Sequence, residues 1–403
     1  MHRRDRTILL AALSAGASFV AACEGTMSMD EADAATTPRD GSIPVDARTA
    51  RDDASAIDGG TLPGDDASVG DPDAGSGLVP IFVAQGYAGR TTISCDDGRS
   101  WLANQSDDDA IRCFSDGFDC DHHPGRAKGV VYSHGYFVAT YGWGPAGGVQ
   151  RSRDGVDWTT TLEGTTFGGI AVSDMQVMLG ARSARVSEDD GATWSEPIST
   201  MLEGYNVRRA GYAAHDGGRM LLVGDGGDVT LSSDGGATWW RPTTLPSSCG
   251  AGIQNDGGIG YVAGAIVIVG GDGSVCRSTD GGTTWTAHSI GSDISSSEVV
   301  QTASELLVWG GGELHRSSDG ATWTSTALQP SGTSIGAVAR SPDGTFVAVN
   351  SGWNRWYEQQ RFYRSSDGVT WEQLASDRYV GSHPIFQIRF GLAEPSAACE
   401  ATP

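Results

Sequence analysis

Lysine is almost missing from this chain. Lys128 is the one lysine among 27 basic residues, which face 50 Asp and Glu for a formal net charge of -23 over 403 residues. A chain of that sign lacks the field that sequence-independent binding to nucleic acid or anionic lipid headgroups requires. The apolar run from Ile8 to Val20 is too short to cross a bilayer. No Cys-x-x-Cys pair offers zinc-ligand spacing, and no His-Glu-x-x-His or phosphate-loop pattern occurs. Asp/Gly-rich runs such as GDGGDVTLSSDGG lack the spaced ligands and terminal glutamate of a calcium loop. No metal or cofactor is therefore expected. Glycine, by contrast, is abundant at 58 residues, about double ordinary usage, which favours many tight turns over a helical bundle.

Charge and composition divide the chain. Residues 1–23 carry a net +2, residues 24–78 a net -10, and residues 79–403 the remaining -15. The basic start, the apolar run and the small residues before Cys23 read as a signal peptide. Val20-Ala21-Ala22-Cys23 resembles the lipobox of bacterial lipoproteins, which implies acylation of Cys23 and a place in the cell envelope, periplasmic or at the outer-membrane surface. Residues 24–78 contain no Phe, Trp or Tyr and cannot bury enough apolar area to offset ordering entropy, so they read as a disordered tether. With Cys23 set aside, Cys95, Cys113, Cys120, Cys249, Cys276 and Cys399 form an even set in an exported chain, so disulfides are expected. Six cysteines allow fifteen connectivities. The pairing taken as a working guess is 113 with 120, 249 with 276, and 95 with 399.

One pattern, Ser-x-Asp-(x)-Gly-x-x-Trp, recurs seven times in residues 79–403. Its Asp and Trp positions are Asp96 and Trp101, Asp154 and Trp158, Asp189 and Trp194, Asp234 and Trp239, Asp280 and Trp285, Asp319 and Trp323, and Asp367 and Trp371. The chemistry is that of a hairpin turn: Asp accepts from nearby backbone N–H groups, Gly supplies a positive φ, and Trp packs between neighbouring sheets. Short apolar strands precede each copy, as in GGIGYVAG, AIVIVGGDG and SVCRSTDGG before TTWTAHSI. Four strands per repeat match a β-propeller blade. The pattern resembles the Asp-box, or bacterial neuraminidase repeat, of sialidase-like propellers, sortilin-type domains, xyloglucanases and photosystem-assembly factors. The expected fold is all-β: a seven-bladed propeller of four-stranded antiparallel blades, about 46 residues each. LVPIFVAQGYAG reads as a second strand without a first, and SHPIFQIRFGLAEP as a strand without a second, so the C-terminal strand is expected to close the ring.

The resemblance implies that boxes occupy turns between third and fourth strands while ligands meet the opposite face. On that face the loop 104–128 holds Asp119, Asp121, His122 and His123, and a nearby loop holds Trp143. Three readings of the Asp/His group stand: a metal site, hampered because adjacent histidines in an extended chain point opposite ways; a general acid/base site; and a tight structural turn. Further ligand-binding candidates are Arg182, Arg208, Arg209, Trp353, Trp356, Tyr357, Arg378 and His383, since exposed aromatics beside arginines suit sugar rings or peptide side chains. Packing between blades is the alternative for each. The Arg-Ile-Pro signature of sialidases is absent. Two functions are carried forward: a monomeric, lipid-anchored binding or scaffolding protein for a glycan or envelope protein, and a glycoside hydrolase or polysaccharide lyase using Asp119, Asp121 or Glu203.

Overall fold

The turn motif sets the architecture because it reverses the chain the same way seven times. The computed structural model describes residues 77–102 and 125–400, apart from 88, 144–146, 165–166, 174–175, 181–182, 203–206, 214–218, 225–226, 243–244, 248, 250–256, 351–360 and 376–383. The lipobox cysteine, the tether, and Cys113 with Cys120 lie outside these residues. Seven antiparallel sheets follow one another in chain order.

The first blade contains β1 (Val79–Gly86) and β2 (Thr91–Ser94). The second is β3 (Gly125–Ser133), β4 (Tyr136–Trp143), β5 (Gly148–Ser152) and β6 (Thr159–Glu163). The third contains β7 (Ile170–Val172), β8 (Val177–Gly180) and β9 (Ala184–Ser187), and the fourth β10 (Val207–Ala213), β11 (Arg219–Gly224) and β12 (Val229–Ser232). The fifth is β13 (Gly257–Val262), β14 (Ala265–Gly270), β15 (Ser274–Ser278) and β16 (Thr286–Ser289). The sixth is β17 (Val300–Gln301), β18 (Leu306–Gly310), β19 (Glu313–Ser317) and β20 (Thr324–Ala327). The seventh is β21 (Ile335–Arg340), β22 (Phe346–Asn350), β23 (Phe362–Ser365) and β24 (Glu372–Gln373). Finally β25 (Ile385–Ala393) returns to the first blade, and a single helical turn, α1 (Ala397–Glu400), follows it.

The fold is the expected seven-bladed propeller. β25 pairs with β1 from Val79 opposite Ala393 to Gln85 opposite Gln387, so strands from the two ends of the domain share one blade and the ring has no open edge there. Among the described residues the outer-strand position of three blades shows only short contacts: Leu102 N–H to Ile93 C=O, Ala184 with Ile198 beside Ser195 N–H to Val186 C=O, and Leu231 with Trp240. Pro242, two residues after Trp240, has no N–H to extend the ladder of the fourth blade.

The core lies between blades. Each motif tryptophan packs in the apolar cluster that its blade shares with the preceding one, Trp101 with β22 and β23 residues, Trp239 with β9, Trp371 with β18. Burying each contributes roughly 2 to 3 kcal/mol. At five of the seven motifs, Gly98, Gly155, Gly191, Gly282 and Gly320, a Cβ would fall under 3.0 Å from a side chain of the preceding blade. Gly98, for example, has φ +76° and a Cβ there would fall 2.2 Å from Val347 of the seventh blade. Among the described residues there are two disulfides, Cys249–Cys276 within the fifth blade's surroundings and Cys95–Cys399, which ties α1 to the first blade across 304 residues of chain.

Candidate functional site

Strand direction alternates within each blade, so the turns joining first to second strands and those joining third to fourth emerge on one face. Connections between second and third strands, and from blade to blade, emerge on the other. Cross-blade bonds verify the first grouping: Thr345, in the β21–β22 turn, donates to Asp97 of the first blade's motif at 2.9 Å, and His134, in the β3–β4 turn, meets Asp190 of the third at 2.8 Å.

On this turn face the motif serines and aspartates are bonded within the fold. In all seven motifs the serine Oγ donates to the Asp Oδ1 at 2.8 to 3.1 Å and accepts from the glycine N–H at 2.8 to 3.0 Å. The same Oδ1 accepts from the N–H of the residue before tryptophan, at 2.7 to 2.9 Å. The carboxylates are stabilised in their charged form. Asp234 and Asp280 are pulled from 3.8 down to about 2, first by the hydroxyls of Thr238 and Thr284 and then by those residues' N–H groups. Asp319 is lowered further, chiefly by the N–H groups of Thr322 and Ala321.

A second repeated feature escaped the sequence reading. Arg277, Arg316 and Arg364 each directly precede a motif serine and donate to a backbone carbonyl in the next blade's motif: Asp319 at 2.6 Å, Asp367 at 2.8 Å and Asp97 at 2.9 Å. Arg151 reaches Asp189 at 3.3 Å in the same way, and Arg219 reaches Gly281 from β11. The signal was present as the Arg-Ser pair in RSRDG, RSTDG and two copies of RSSDG. These arginines clamp blades together, which accounts for part of the demand for arginine in a chain nearly free of lysine.

The opposite, loop face carries the non-repeating chain. Turns between first and second strands run from two residues at 134–135 and 263–264 to five at 214–218 and 341–345. On the loop face the connections include 103–124, 241–256, 351–361 and 374–384. Trp143 ends β4 on this face, opposite Gly125, and Arg208 and Arg209 lie near the start of β10, where the ladder shifts register. Asp119, Asp121, His122, His123, Arg182, Glu203, Trp353, Trp356, Tyr357, Arg378 and His383 lie outside the described residues, as do the side chains of Trp143, Arg208 and Arg209.

The innermost strands of the sixth, seventh and first blades border a pocket of about 60 Å³ lined by Glu298, Gln301, Arg340, Ser341 and Arg389. The Arg389 Nε donates to Val130 C=O at 3.0 Å, and its Nη2 lies 3.7 Å from Glu298. No motif marks these residues, which come from three separate blades. Among the described residues no group of three His, Cys, Asp or Glu is placed to hold a metal ion, and no helix is long and apolar enough to cross a membrane.

No family model and no curated protein matches this chain. Solved structures do. YCF48 from Cyanidioschyzon merolae is 17% identical with a TM-score of 0.44, covering 63% of this chain and 86% of that one. A GH74 xyloglucanase from Xanthomonas campestris is 19% identical with a TM-score of 0.46, covering 62% of this chain and 45% of that one, so the match spans less than half of the enzyme. A protein from Lactobacillus plantarum is 14% identical with a TM-score of 0.50, covering 78% of this chain and 99% of that one. The likeness is one of fold. At these identities it assigns neither substrate nor partner, because one propeller scaffold hosts many activities.

Proposed function

We propose that this chain is a lipid-anchored, extracytoplasmic binding or scaffolding protein that presents its loop face to a glycan or protein partner. The carrying observation is the inequality of the two faces. The turn face repeats seven times with its motif serines and aspartates bonded internally, whereas the long, non-repeating connections all begin and end on the loop face. Binding residues concentrate on such loops when a rigid scaffold holds their ends. The lipobox-like Val20–Cys23 stretch and the acidic segment after it support an anchor and a spacer, on the order of 40 Å root-mean-square for ~55 flexible residues.

The test is a glycan array run beside pull-downs from envelope extract, using the mature chain. A specific ligand bound at about micromolar concentration supports the proposal, and its absence from both refutes it. The same glycans incubated with the protein separate binding from hydrolysis or elimination. The hydrolase reading requires two carboxylates roughly 5 to 10 Å apart on the loop face, with Asp119, Asp121 and Glu203 as its candidates. Depolymerisation abolished by Asn or Gln at those positions would replace the binding assignment.

A further inference from the structure

The sixth blade carries a serine–histidine pair that the repeat does not require. His315 stands on β19, two residues before the motif serine Ser317, and the ladder sets it opposite Ser325 of β20. The corresponding pairs are Cys276 with Ala287 in the fifth blade and Tyr363 with Gln373 in the seventh. Blade packing therefore does not demand a histidine opposite a serine.

Register brings the two side chains together. Leu328 N–H donates to Gly312 C=O at 2.9 Å, so the alternation of an antiparallel ladder turns the N–H groups of Thr326 and Thr324 toward β19. His315 and Ser325 are then a non-hydrogen-bonded pair, the kind whose side chains approach closest. Ser325 Oγ lies 2.7 Å from His315 Nδ1, and His315 Nε2 lies 3.2 Å from Gly310 C=O. A carbonyl oxygen only accepts, so Nε2 holds the ring proton and Nδ1 accepts from the serine hydroxyl. Burial pushes the imidazole below its ordinary value, against the opposing pull of the Gly310 carbonyl and Glu313, and the ring is neutral near pH 7. A hydroxyl donating to a neutral imidazole whose far nitrogen is anchored is the arrangement that activates a serine nucleophile. The ring is buried but the serine is not: all four residues of β20 are exposed, and β20 is the last strand of its sheet. The same alternation turns the N–H of Ser325 toward the outer edge of that strand, where it can donate to a developing oxyanion.

We propose that Ser325 is a nucleophile that takes the acyl group of an ester, with His315 as its general base. Oγ attacks the ester carbonyl carbon, the carbonyl π electrons move onto oxygen, and the hydroxyl proton passes to Nδ1. When the tetrahedral adduct collapses, the bond from carbon to the alkoxy oxygen breaks and the departing alkoxide takes the proton from Nδ1. The products are acyl-Ser325, a free alcohol and a neutral imidazole. The pair sits on the outer rim of the sixth blade, so this chemistry is independent of any ligand held by the loop face.

The test treats the mature protein with p-nitrophenyl acetate and, separately, with a fluorophosphonate probe, and maps the adducts by peptide mass spectrometry. A burst of nitrophenolate with acetyl on Ser325 is expected. The fluorophosphonate should label Ser325 about 100-fold faster than Ser289, an exposed serine of β16 whose cross-strand neighbour is Ser274. Ser325→Ala should remove the burst and the adduct, and His315→Gln should slow both about 100-fold at matching Tm. Slower labelling of the parent in D2O reads the proton transfer to His315 without altering the fold. A hydroxyl that only satisfies a buried ring would lower Tm in Ser325→Ala and give no adduct in the parent. Absence of an adduct on Ser325, labelling no faster than at Ser289, or a rate unchanged in D2O overturns the proposal.

Discussion

Removing the Cys95–Cys399 bridge should loosen the ring at its closing blade. The bond spans 304 residues, and Cys399 lies in the helical turn just after β25, the strand that completes the first blade. Chain-entropy reasoning gives about 5 to 6 kcal/mol for a loop of that length, while measured losses for removed native disulfides centre on roughly 2 to 5 kcal/mol. A folded domain of about 325 residues unfolds with an entropy near 0.7 kcal/mol per kelvin, so 2 to 5 kcal/mol corresponds to a fall in Tm of about 3 to 7 °C. The assay is scanning calorimetry of a Cys95→Ala/Cys399→Ala variant, which leaves Cys249–Cys276 intact, paired with limited proteolysis read for release of the C-terminal strand. A lower Tm with early loss of residues after 384 is expected. A Tm within about 1 °C of the parent, with unchanged proteolysis, would refute the reasoning and show that β25–β1 pairing alone closes the ring.

Three further outcomes follow from the repeated motif and the N-terminus. Asp234 and Asp280 titrate near 2 when folded and near 3.8 otherwise, so their contribution is complete above about pH 5 and is lost as pH falls through about 2; Tm measured from pH 6 to pH 2 should drop chiefly below pH 4, and a flat profile would contradict the bonding described. Trp239→Ala removes a ring that is 8% exposed between the third and fourth blades and should cost about 3 to 5 kcal/mol in denaturant unfolding, with a loss under about 1 kcal/mol counting against its packing role. Cys23→Ser should shift the protein from the membrane to the soluble fraction, and retention on membranes would rule out acylation at that residue.

The fold was legible because its determinants are local and repeated. Ser-x-Asp-(x)-Gly-x-x-Trp contains the donors, acceptors and positive-φ glycine of one turn within eight residues, so seven copies announce seven third-to-fourth strand reversals. Closure was legible from an unpaired strand pattern at each end, and the register of Val83 opposite Arg389 realises it. Outer strands were less so: among the described residues those of the third and fourth blades are represented by one bridge each, Ala184 with Ile198 and Leu231 with Trp240. The pocket bordered by the sixth, seventh and first blades was not legible at all. Glu298, Arg340 and Arg389 are each ordinary residues on or beside an inner strand, and only the closing of the ring brings them to one place. Interblade arginines occupy the middle ground, visible as Arg-Ser pairs once the turn geometry supplies their carbonyl partners.

The central claim is that recognition belongs to the loop face. It is tested most directly by measuring the affinity of the ligand found by array or pull-down on three proteins side by side: the parent, a Trp353→Ala/Trp356→Ala/Tyr357→Ala variant of the loop face, and a Glu188→Arg variant at an exposed position of the turn face. Binding reduced at least about tenfold in the loop-face variant, at unchanged Tm and with Glu188→Arg equal to the parent, is the predicted result. Binding retained by the loop-face variant and lost in Glu188→Arg would contradict it.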